Sequence, residues 1–129
     1  MAKRGGMTAA RVEEFEMLWG HLSSLYSDVE SLAKRKQDGI MSKTRVATVN
    51  VVLKEVLAFL EGQPSSKFLE FLDDESLPQN ADSLIFLGQY MAAMKSFARA
   101  NSRDDDYSPL RKWNGVDLAV DLWERRNQR

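Results

Sequence analysis

Apolar residues recur along this chain at alternating steps of three and four, in three separate stretches. Phe15, Leu18, Leu22, Leu25, Val29 and Leu32 form the first, Val46, Val49, Leu53, Val56 and Leu60 the second, and Leu84, Leu87, Met91, Met94 and Ala98 the third. A repeat near 3.5 puts each set on one side of an α-helix, and such a seam leaves water only by packing against another helix. The spacing therefore predicts an all-α, single-domain helical bundle.

The chain has the means to bury such a core. At 129 residues, 43% hydrophobic and 29% charged, it matches neither a disordered nor a membrane composition and is long enough to fold without staples. Cysteine is absent, which removes disulfides, thiol catalysis and the usual zinc sites. The 18 basic and 19 acidic side chains leave a net charge of −1, so any contact with nucleic acid or an anionic membrane has to be local. No apolar run reaches the roughly 18 residues a membrane span needs, and Met1 to Gly6 carries no secretory-type apolar stretch. The expected location is cytoplasmic.

Punctuation along the chain divides it further. Residues 1–7 read as a flexible basic arm and residues 8–129 as the bundle domain, with Thr8 capping a first helix over about residues 9–37. Lys34, Arg35 and Lys36 complement the negative end of that helix, and Gly39 reads as its left-handed terminator. Ser42 caps a second helix over about 43–61, and so short a connection predicts an antiparallel helical hairpin. Its valines favour a strand intrinsically, but their spacing is helical. Lys67 to Leu72 reads as a short helix plugging one end of the bundle, Asn80 or Asp82 as the cap of a helix reaching about Ala100, and Asn114 to Arg126 as a last helix. The expected total is three long helices plus two shorter ones.

Nothing in the sequence carries a catalytic signature. His21 is the only histidine and has no cysteine or serine motif to work with, whereas acid–base or nucleophilic catalysis needs a partner that orients the base. The runs Asp73-Asp74-Glu75 and Asp104-Asp105-Asp106 lack the alternate ligand spacing of a calcium loop, and no glycine-rich phosphate loop is present. No enzyme activity, cofactor, metal or small-molecule substrate is expected.

Two surface features point instead to binding. Aromatic residues flank the seams, and Trp19, Tyr26, Trp113 and Trp123 are the expected anchors for a protein partner, either a second copy or a larger complex. Lys34, Arg35, Lys36, Lys43 and Arg45 gather at the turn between the first two helices, where they are suited to phosphate contacts. The sequence thus predicts a non-enzymatic interaction module, a homodimer or accessory subunit, with a nucleic-acid-associated small subunit as the alternative.

Overall fold

In the computed structural model, which describes residues 7–103 together with 112 and 113, the chain is mostly helical. Helices α1 (Ala9–Arg35), α2 (Lys43–Phe59) and α3 (Asn80–Ala100) are 27, 17 and 21 residues long. A single 3-10 turn covers Pro64–Ser66. Two-residue strands β1 (Ser102–Arg103) and β2 (Lys112–Trp113) pair antiparallel. The expected last helix and residues 1–6 lie outside the described residues.

Helices α1 and α2 begin in the same way, on Met-Thr-Ala-Ala-Arg-Val and Met-Ser-Lys-Thr-Arg-Val. The Thr8 and Ser42 hydroxyls each accept the backbone N–H three residues on, from Arg11 and Arg45, at 3.1 Å. The preceding Met7 and Met41 are buried, as are Val12 and Val46 in the first full turn, which is the placement of a hydrophobic staple. Met7, expected in the basic arm, therefore belongs to the core.

The three seams are inside. Leu22, Val46, Val49, Leu53, Val56, Leu87 and Met94 have no exposed surface, so tertiary burial overrides the strand preference of the α2 valines. Helix α1 packs chiefly against α3 and less extensively against α2, so the consecutive pair is not the dominant one. At one end Phe15, Phe59, Phe97 and Trp113 form an aromatic knot, with Phe59 edge-on to Phe97 at 4.9 Å and Trp113 edge-on to Phe15 at 5.0 Å. Arg11 closes this end: its guanidinium lies 3.8 Å over the Phe59 ring and donates to the Phe59 carbonyl at 2.7 Å. It thereby supplies, from another helix, the cation that α2 lacks in its own last turn.

The other end is polar, and it corrects two expectations. Gly62 (φ +84°), rather than Gly39, is the described glycine with positive φ. Gly39 is needed for space, because a Cβ there would stand 3.1 Å from the Asn80 Nδ2 and 3.3 Å from the Lys36 carbonyl oxygen. Asn80 is not a cap either. Gln79 is the capping residue, while the buried Asn80 amide donates to the Lys36 carbonyl at 3.0 Å and so ties the start of α3 to the end of α1. An isolated antiparallel bridge between Ile40 and Gln79 completes the tie, with Met41 N–H to the Pro78 carbonyl at 2.9 Å and Asn80 N–H to the Gly39 carbonyl at 2.8 Å.

The expected short helix over Lys67–Leu72 is absent. After a turn at Lys67 and Phe68 this segment is an irregular strap that links α2 and α3. Asn50 of α2 holds both backbone groups of Leu72, accepting its N–H and donating to its carbonyl at 2.9 Å each. Tyr90 of α3 donates its hydroxyl to the Glu70 carbonyl at 3.0 Å. Six residues make too short a helix to stand alone, and side chains on neighbouring helices satisfy the strap's backbone instead. Leu53→Ala should destabilise the fold by about 2–5 kcal/mol in denaturant unfolding, while the half-buried Leu25→Ala should lose less.

Candidate functional site

The strap carries two exposed phenylalanines. Leu69 and Leu72 face the core, whereas Phe68 is 81% and Phe71 44% exposed. Ile85 on α3, one residue off the seam and 60% exposed, lines a groove together with Phe71. Between strap and helix runs a groove of about 540 Å³ lined by Glu70, Phe71, Asp73, Pro78, Asp82, Ile85 and Phe86. A further depression of about 320 Å³, lined by Ser65, Phe68, Leu69, Gln89, Ala92 and Ala93, lies along the same two elements. The first of these is an apolar trough with carboxylates on its margin.

These carboxylates do not form a described metal centre. Asp73 turns back on its own loop, its Oδ1 accepting the backbone N–H groups of Glu75 at 2.8 Å and Ser76 at 3.1 Å. The Glu75 and then the Ser76 N–H hold its carboxyl below the usual aspartate value. Among the described residues no group of three or more histidine, aspartate or glutamate side chains converges on a possible ion. His21 is exposed on α1, and the Asp104–Asp106 run lies outside the described residues.

The cations Lys34, Arg35, Lys36, Lys43 and Arg45 are all exposed, at the end of α1 and the start of α2. Among the described residues none of the five joins an ion pair. Lys43 and Arg45 occupy the first turn of a helix that has no acidic residue there, so their charge adds to the positive end of the helix dipole. Arg45 also borders a cleft of about 260 Å³ between α1 and α2.

The expected aromatic anchors separate into different environments. Trp19 is half-buried and stacked on Phe15 at 6.3 Å, and Tyr26 is half-buried with its ring 3.8 Å from where a Gly88 Cβ would stand. Trp113 is 3% exposed and built into the aromatic knot, so its surface is already covered within the chain. Trp123 lies outside the described residues. Sequence reasoning missed Phe68, Phe71 and Ile85. Ile85 was detectable as an apolar residue adjoining a seam position, but the two phenylalanines were absorbed into the short helix.

The chain matches no protein-family model, and no curated protein or solved structure matches it. The reading of the site accordingly rests on its geometry.

Tyr90 holds the strap through the Glu70 carbonyl and has a measurable signature. Burial, reinforced by the Glu70 carboxylate, pushes its phenol from 10.0 up to about 12. The unfolded chain therefore gives up this proton at lower pH than the folded one, and stability present below pH 10.0 is lost as pH rises toward about 12. Thermal melts should show this loss in the wild type, and Tyr90→Phe should remove that component of the alkaline pH dependence.

Proposed function

We propose that this chain is a non-enzymatic, cytoplasmic interaction module, acting as a homodimer or a small accessory subunit of a larger assembly. The observation that carries this reading is the trough beside α3, where exposed Phe71 and Ile85 line one groove and exposed Phe68 borders a second depression. Scattered exposed apolar residues are ordinary, but apolar residues lining one groove with a polar margin mark a surface suited to association. Burial of the aromatic and aliphatic residues supplies the affinity, and the surrounding charges orient the partner. Trp19 and Tyr26, half-buried on α1, are secondary anchors on this reading. Trp123 remains a candidate from sequence.

The test is association of the full-length chain in solution and in extract of its native cell, by sedimentation and by cross-linking with identification of captured proteins. Phe71→Asp with Ile85→Asp should weaken the association by about 2 kcal/mol or more while leaving the helical circular dichroism unchanged, because both residues are exposed. Association that is indifferent to this pair assigns binding to another surface.

A second reading is favoured by the five exposed cations, none of which joins an ion pair among the described residues: a nucleic-acid-associated small subunit in which α1 and α2 form an antiparallel hairpin with a phosphate-binding tip. Such contacts bind irrespective of sequence and weaken steeply with salt. Arg35→Glu with Lys43→Glu should then reduce retention of unrelated DNA and RNA alike, and neutralising either residue should lower the logarithmic salt slope by up to about one unit. Folded wild-type protein that retains neither at low salt rejects this reading.

A further inference from the structure

The trough has a counterpart on the same molecule. Ile40, in the connection between α1 and α2, is 62% exposed, with exposed Lys36, Lys43 and Arg45 on either side of it in sequence. It is an exposed apolar residue in a predominantly cationic turn, in which Asp38 is the one acidic side chain between Lys36 and Arg45. The groove between strap and α3 presents the opposite arrangement, with exposed Phe71 and Ile85 beside Glu70, Asp73 and Asp82. The two features are neighbours: Ile40 bridges to Gln79, which follows the groove residue Pro78 and precedes Asp82 by three positions.

We propose that a second copy of this chain covers the groove, in a two-fold dimer in which Ile40 of each protomer enters the trough of the other and its flanking cations face the carboxylates there. This rests on the interaction-module reading above and names the partner. Charge complementarity favours a second copy, since the chain itself carries an apolar knob of the sign that the groove requires. Adjacency favours a closed pair. A two-fold axis passing between knob and groove engages both copies of each contact at once, whereas distant halves would join head to tail and leave open ends. The exposed ion pairs mainly select the register, and Ile40, Phe71 and Ile85 provide the apolar burial.

Sedimentation equilibrium of the full chain tests the proposal with three variants, each checked for an unchanged helical spectrum: Ile40→Asp, the tip reversal Lys43→Glu with Arg45→Glu, and the groove reversal Glu70→Lys with Asp82→Lys. The wild type should dimerise, and each variant alone should associate at least about tenfold more weakly. An equimolar mixture of the tip-reversed and groove-reversed chains should recover a dimer, because both of its contacts regain opposite signs. A dimer that survives all three variants, or reversed chains that fail to recover on mixing, overturns the assignment. A monomeric wild type also overturns it. In that case, a heterologous partner lost on Phe71→Asp with Ile85→Asp leaves the interaction module standing, no such partner removes both readings, and nucleic-acid binding lost on tip reversal transfers the cations to the second one.

Discussion

The carboxamide of Asn50 decides what the surface of this protein looks like. An extended segment carries backbone donors and acceptors that a helix would satisfy internally, and leaving them unmet in a partly buried position costs about 1–3 kcal/mol per group. Asn50 meets both groups of Leu72, and the Tyr90 hydroxyl meets the Glu70 carbonyl, so the strap can stay open between α2 and α3. These bonds hold the strap at Glu70 and Leu72, on either side of Phe71. Within the strap Leu69 and Leu72 are turned inward, while Phe68 and Phe71 stand exposed. The trough follows from two polar side chains on helices that the strap joins.

This dependence also explains which parts of the structure were legible beforehand. The three long helices were, because a seam such as Val46, Val49, Leu53 and Val56 is written locally, and Thr8 and Ser42 cap within three residues of themselves. The strap was not, because Asn50 lies 22 residues from Leu72 in sequence and nothing near Leu72 announces it. Gly39 and Asn80 were misread for the same reason. Each was assigned a local role, terminator and cap, whereas their actual role is mutual: a small residue makes room for an amide that reaches the Lys36 carbonyl 44 positions away. The cations of the α1–α2 turn lie close in sequence and are exposed, whereas the acidic trough was missed because its margin is assembled from the strap and α3.

A net charge of −1 conceals considerable segregation. Cations crowd the α1–α2 turn, while Glu70, Asp73 and Asp82 gather where the strap approaches α3. Because all of these side chains are exposed, physiological salt screens them over roughly 8 Å, and their pairwise attractions are too weak to hold a complex unaided. Their effect is on encounter and orientation, whereas affinity has to come from apolar contact.

The two ends of the bundle divide the aromatic residues between stability and surface. At the end where α1 begins and α2 and α3 finish, Phe15, Phe59, Phe97 and Trp113 are buried against one another, and Arg11 covers the Phe59 ring while satisfying its carbonyl. Edge-on and offset contacts of this kind add about 0.5–1.5 kcal/mol per pair beyond the area they bury, so this end has a reason to remain closed. The opposite end is tied by the Asn80 amide and a single backbone bridge, with Ile40 left in solvent beside them. Of the large apolar side chains left exposed, Ile40 lies at this polar end, Phe68 and Phe71 on the strap and Ile85 on α3, while Met17 and Val51 stand separately on α1 and α2. An association that draws on Ile40, Phe71 and Ile85 leaves the aromatic knot intact, which separates the surface proposed for binding from the contacts that hold the fold.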